Sequence, residues 1–298
     1  MAILFTYKPK ILIQGITGRE ASMVAKHMIK YGTNIMAGVT PGKGGEDLLG
    51  IPVFDTIREA CKDQKADISI IYVPPLSVYN AALEAMENQI PLVLIITERV
   101  PQQDMVKLYK ISKKQSVRLV GPNSVGIINP AKKVKLGPIG GDDPTRCFSP
   151  GKVGVISRSG GMTAEVSYMV KKAGYGISTA VSIGGDSLIG TSPKDLLEMF
   201  QEDDDTDAVV LFSEPGTGYE EEAADYITSN GFGKPIIAFV AGGFVENMPS
   251  GTTFGHTGAI IEKGLGKPSE KIKQLRKAGV RVATEFGEII DLVKRSFS

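Results

Sequence analysis

In the first 120 positions, apolar residues come in short continuous blocks: ILIQGI from Ile11, NIMAGV from Asn34, ISIIYV from Ile68 and LVLII from Leu92. Between the blocks they recur every three or four positions, over Arg19 to Tyr31, Ile57 to Cys61, Val78 to Glu87 and Gln102 to Gln115. Unbroken blocks rich in branched side chains predict strands buried on both faces, and helical spacing between them predicts a parallel sheet covered on both sides. The first part of the chain therefore reads as a doubly wound α/β domain, residues 1–129.

From 130 to 151 the pattern stops. Pro130, Gly137, Pro138, Gly140, Gly141, Pro144, Pro150 and Gly151 crowd a stretch that sustains neither a helix nor a central strand, so it reads as a linker. The alternation then restarts over 152–298 with KVGVIS, ISTAVSI, AVVLF, PIIAFV and VRVA as strands. Helices are expected over Gly161 to Lys172, Pro193 to Phe200, Tyr219 to Ile227, Glu270 to Ala278 and Glu285 to Lys294. Ser192 followed by Pro193 marks one start, a cap before a first-turn proline. The halves share this architecture without a common sequence period.

Composition narrows the chemistry. With 298 residues and 42% hydrophobic content the chain is long enough for two cores. Its 34 basic and 33 acidic residues provide no electrostatic footprint for nucleic acid or an anionic membrane, so an anionic ligand has to be held locally. Two cysteines, Cys61 and Cys147, without short Cys/His spacing suggest neither a disulfide framework nor a metal site. No apolar run approaches the ~18 residues of a membrane span. The expectation is a cytoplasmic protein, or a mitochondrial matrix protein whose transit peptide has been removed.

The first block runs into Gly15-Ile16-Thr17-Gly18-Arg19-Glu20 and then a helix. Such a turn offers backbone N–H groups and a positive helix end to a phosphate, with Thr17 as a hydroxyl donor. A nicotinamide dinucleotide would further require an acid at the end of the second strand. That strand ends instead in Val39-Thr40-Pro41-Gly42-Lys43-Gly44, and Lys43 offers a cation. Ile96-Thr97-Glu98 follows the fourth strand at the same carboxyl edge, so three loops are expected to meet in one crevice.

Histidine occurs twice. His27 falls on a helix whose apolar face is Ala21, Val24, Ala25 and Met28, and reads as a boundary residue. His256 sits in Gly255-His256-Thr257-Gly258, a setting as open to an inert loop histidine as to an approachable nucleophile. The second domain opens with Ser159-Gly160-Gly161-Met162-Thr163-Ala164 at a helix start, able to hold a phosphoryl group. Glu214, at the end of AVVLF, is a candidate to fix the tautomer of His256, or an ordinary loop carboxylate. No G-x-x-x-x-G-K-S/T is present; Gly264-Leu265-Gly266-Lys267-Pro268 has the wrong spacing, so a nucleotide that phosphorylates His256 has to sit on another chain. The acidic run from Glu202 to Asp207 reads as a solvated turn.

The stretches GITG, YGT, GVTPGKGG, IYVP, ITE, GPN, PGKVGVISRSG, IGGD and GHTGAII, in this order over nearly the whole chain, resemble the succinyl-CoA synthetase alpha-subunit family. The resemblance implies a Rossmann-like CoA-binding domain followed by a flavodoxin-like ligase domain, with an ATP-grasp beta subunit as partner in a heterodimer or heterotetramer. It implies CoA lined by Thr17, Gly18, Arg19, Glu20, Lys43, Ile96, Thr97 and Glu98. His256 would be phosphorylated, with Glu214 as its carboxylate, and ATP or GTP with magnesium would be held mainly by the partner. The implied reaction passes a phosphoryl group from the nucleotide to His256 and on to a small carboxylic acid, whose acyl group ends on the CoA thiol; the histidine loop would carry the phosphate between sites.

Departures cluster around the acid. The family's TLTYE after SRSG is here Gly161-Met162-Thr163-Ala164-Glu165, so alanine replaces a tyrosine. The SGGM form and Phe254 are closer to the corresponding module of ATP-citrate lyase. Ser213 to Thr217 replaces GEIGG, and Ser124-Val125 replaces Cys-Pro. Succinate, citrate, malate and other acids stay open as substrates. A nicotinamide-dependent dehydrogenase and a non-catalytic CoA sensor are the readings from other classes.

Overall fold

The computed structural model describes residues 3–5, 8–248, 256, 258–259 and 266–297. The first sheet contains β1 (Ile11–Gln14), β2 (Ile35–Val39), β3 (Asp47–Leu48), β4 (Ile51–Phe54), β5 (Ile68–Ile71), β6 (Leu92–Ile95) and β7 (Arg118–Val120). Its order is β3-β4-β2-β1-β5-β6-β7, parallel except for the β3–β4 pair. Without β3 this is the Rossmann order, reversing between β1 and β5. Helices α1 (Arg19–Tyr31), α2 (Ile57–Ala60), α3 (Val78–Glu87) and α4 (Gln102–Gln115) connect the strands. Residues of β1, β5 and β6 are buried throughout, as unbroken apolar blocks require.

The second sheet contains β8 (Ile127–Asn129), β9 (Val134–Leu136), β10 (Pro150–Ser157), β11 (Ile177–Ser182), β12 (Ala208–Ser213), β13 (Ile236–Val240) and β14 (Arg281–Ala283). The order β14-β13-β12-β10-β11-β8-β9 is the flavodoxin-like arrangement, with the antiparallel β8 and β9 added beyond β11. Helices α5 (Gly160–Lys172), α6 (Pro193–Gln201), α7 (Tyr219–Asn230), α8 (Pro268–Lys277) and α9 (Ile289–Lys294) complete it. α6 begins as expected at Ser192, whose side chain forms a capping box with Asp195.

The boundary expected after 129 needs correction. β8 pairs with β11 through Ile128↔Ala180 and Val181↔Ile127, so the chain leaves the first sheet after β7. The segment 130–151, read as a linker, supplies β9 at the sheet edge and the start of β10. Three-residue strands give too few positions for a period to register. The halves also bond directly: the Thr33 hydroxyl donates to Lys135 O at 2.9 Å and accepts from Lys135 N at 2.9 Å. Among the described residues no helix is long and apolar enough to cross a membrane.

Candidate active site

Both sheets reverse direction at their carboxyl edges, and each reversal carries a candidate site. In the first domain a cavity of about 1020 Å³ opens between the loops after β1 and β5. Gly15, with φ +78, lets the turn fold back so that Gly18 N–H donates to Gly15 O at 3.0 Å. Gly18 caps α1 without a side-chain bond, which leaves N–H groups of the first turn for a ligand. A phosphate-bearing ligand the size of CoA fits this combination of volume and bare donors.

Of the residues expected there, Thr17, Gly18, Glu20, Ile96, Thr97 and Glu98 line the cavity. Thr17 and Thr40 are neighbours on its wall, the Thr17 hydroxyl donating to that of Thr40 at 3.2 Å. Arg19 is exposed at the helix start and is not on the wall. Lys43 also lies off the wall, paired with Glu46 at 3.0 Å. Such an exposed pair contributes under about 1 kcal/mol, so it does not hold Lys43 away from a phosphate. Sequence reasoning missed the lining contributed by Tyr72, Asn80 and Asn123. The Tyr72 hydroxyl is buried with no partner among the described residues, and burial, with Glu20 nearby, pushes it well above the ordinary phenol range.

In the second domain the reversal lies between β10 and β12. Glu214, the residue after β12, holds His256 Nδ1 with its Oε2 at 2.7 Å. The ring rests on Gly185, where a Cβ would fall 2.5 Å from His256 Cγ. The Glu214 hydrogen bond is the largest influence on the imidazole and raises it above its ordinary value; burial and Arg158 act the other way, while Asp186 adds to the rise. Binding through Nδ1 leaves Nε2 unengaged by Glu214. Residues 251–255, including Phe254, and Thr257 lie outside the described residues, as do Gly264 and Leu265.

Ser159 caps α5, accepting from Met162 N at 3.5 Å. Thr163, expected to offer its hydroxyl to an anion, is buried and donates to Ser159 O at 2.7 Å, so that donor is already committed. Gly160 and Gly161 keep their N–H groups without a partner among the described residues. Ala164 is half-buried on the same helix. The two sites adjoin. A Cβ on Gly160 would sit 2.4 Å from Val125, which lines the first cavity, and Asn123 on that wall donates to Asp186 at 3.1 Å, next to the Gly185 seat of His256.

A CoA binding domain matches residues 6–99, and a succinyl-CoA ligase-like flavodoxin domain matches residues 150–295. The subunit alpha 2 of succinate–CoA ligase (ADP-forming) from Archaeoglobus fulgidus is 43% identical over 98% of this chain and 99% of its own length. The chain belongs to the succinate–CoA ligase alpha-subunit family. The Aquifex aeolicus alpha subunit is also 43% identical, over 99% of this chain and 94% of that one. Among solved structures, a variant of ATP citrate lyase from Methanosaeta concilii in complex with (3S)-citryl-CoA superposes with a TM-score of 0.92 at 22% identity. That match takes in 99% of this chain and 50% of the lyase chain, and it speaks for the fold.

In this alpha-subunit fold the loop behind Glu214 is held from below. Lys271, fully buried, binds Glu220, reaches Glu221 at 3.2 Å and donates to Thr217 O at 3.2 Å. Removing one member of a buried ion pair strands the other charge. Lys271→Ala is therefore expected to destabilise the chain by about 3–5 kcal/mol, read as a lowered denaturant midpoint. Among the described residues no cluster of three or more His, Cys, Asp or Glu could hold a metal ion.

Proposed function

We propose that this chain is the CoA-binding, phosphohistidine-bearing subunit of an NTP-dependent acid–CoA ligase working with an ATP-grasp beta subunit. The observation that carries the reading is His256 hydrogen-bonded to Glu214 at a topological switch point that adjoins the phosphate-binding crevice. Glu214 accepts the Nδ1 proton, which aims the Nε2 lone pair at the γ-phosphorus of ATP or GTP bound with magnesium on the partner. The Nε2–P bond forms as the nucleoside diphosphate leaves. A substrate carboxylate oxygen then takes the phosphoryl group, and imidazole is the leaving group. CoA supplies the thiol that receives the acyl group as phosphate departs. The bare N–H groups of Gly160 and Gly161 suit the phosphoryl oxygens. The reading is of a cytoplasmic enzyme, and either αβ or α2β2 assembly is compatible with it.

The acid is succinate or a bulkier relative. Ala164 in the first turns of α5 leaves space that a tyrosine would fill. The test is co-expression with the candidate beta subunit, followed by thioester formation on a panel of succinate, citrate, malate and itaconate. Succinate turnover with ATP or GTP is the expected result, and citrate turnover at a higher kcat/KM would place the chain with the citrate-activating branch. No thioester from any acid in a folded complex that binds CoA would refute the ligase reading and favour a CoA sensor. Tight NADH binding without CoA binding would revive the dehydrogenase.

A further inference from the structure

Arg158 follows β10 and immediately precedes the cap of α5, yet its chemistry is unlike that of an ordinary strand-end arginine. Its side chain is fully buried, and among the described residues no carboxylate lies within ion-pair distance of it. Nη1 donates to the Thr217 hydroxyl at 2.8 Å, and Nη2 to Asp186 O at 3.0 Å and Gly185 O at 3.4 Å. Nε is buried with no partner among the described residues. The nearby Asp186 carboxylate accepts from Asn123 instead. Among the described residues this buried guanidinium meets neutral oxygens and the Tyr219 ring, 5.8 Å from its centroid, and no counter-charge, an expensive arrangement that the folded chain retains beside the nitrogen donors of a helix start.

Three segments meet on this group. Thr217 belongs to the loop that carries Glu214, Gly185 is the seat of the imidazole, and Gly258 N–H, two residues beyond His256, donates to the same Gly185 O at 3.1 Å. We infer that Arg158 is a positioning residue for phosphoryl transfer: it ties together the loops that seat His256 and holds a positive charge in reserve for the phosphate that arrives there. The inference rests on the phosphohistidine reading. Among the described residues the charged groups acting on the imidazole are Glu214, Asp186 and Arg158, and of these only Arg158 favours the neutral ring. It thereby keeps Nε2 nucleophilic at a lower pH, and once Nε2 is phosphorylated its charge opposes the added negative charge instead of an imidazolium.

The experiment measures acid-labile label on the chain from γ-labelled ATP in the complex with the beta subunit, across pH, for the unaltered chain, Arg158→Gln and Arg158→Lys. Arg158→Gln is expected to label about 100-fold more slowly, with its pH midpoint moved to the alkaline side because the ring keeps its proton longer. Arg158→Lys keeps the charge but not the two-headed bridge, so its midpoint stays in place while its rate falls about tenfold. CoA binding, read separately, stays unchanged in both. Label on the unaltered chain with an undiminished rate in a folded Arg158→Gln overturns the inference alone. Should that variant not fold, an undiminished rate in Arg158→Lys overturns it equally. An unaltered chain that takes up no label refutes the phosphohistidine reading, and this inference with it.

Discussion

Replacing His256 by alanine is expected to abolish labelling from ATP and to lower thioester formation by on the order of 10⁴-fold or more, while CoA binding persists. Removing a covalent nucleophile takes away every step routed through it, whereas removing an orienting group takes away only part. The crevice proposed for CoA is walled mainly by loops of the first domain and His256 is not among its lining residues, so the two readouts separate. Isothermal titration with CoA, alongside thioester assay, measures both. Turnover at the unaltered rate in a folded variant would sink the relay.

Glu214→Gln is the second large effect, and its sign can be worked out. Glu214 raises the imidazole above its ordinary 6.5, chiefly through the hydrogen bond. Phosphoryl acceptance needs the unprotonated Nε2, so in the unaltered chain labelling rises with pH through that raised value. Glutamine keeps the shape but loses the negative charge, so the midpoint moves down towards 6.5 while the maximal rate falls about 10²- to 10⁴-fold through lost orientation and tautomer control. Stability follows the same linkage. A group whose folded value is raised stabilises the fold fully below its unfolded value and stops doing so as pH rises through the folded one. The His256–Glu214 contribution is therefore fully present below 6.5 and fades as pH rises through the raised folded value. A pH–rate profile of both proteins checks the first claim, and an unmoved midpoint in Glu214→Gln would contradict it.

The continuous blocks were legible because burial on both faces writes them: β1, β5, β6, β11, β12 and β13 fall where the pattern put them, and β10 starts two residues earlier, at Pro150. Of the short ones β14 was anticipated as VRVA, but β3, β7, β8 and β9, with two or three residues each, were not, because so few positions give no period to read. The site divides similarly. Gly15, Gly18 and the Thr97 loop announced themselves through turn chemistry after a strand, and His256 through its glycine flanks. Its contact with Glu214 spans 42 positions; the place of Glu214 at a strand end made it one candidate, and the succinyl-CoA synthetase resemblance then singled it out. Thr163 looked like an anion donor because a sequence shows the hydroxyl but not the carbonyl that already takes its proton. Arg158 and Asn123 carried no signal of their own, since their importance comes from tertiary neighbours.

The allegiance of β8 has a consequence for anyone dissecting this chain. A fragment ended at residue 129 would export a strand whose hydrogen-bonding edge belongs to β11, and the complementary fragment would begin with that edge bare. Gene fusions, truncations and module swaps should accordingly break near residue 121, before the stretch holding Asn123 and Val125, and even there each piece would forfeit a wall of the neighbouring pocket. The two halves are better regarded as a single catalytic body than as separable parts.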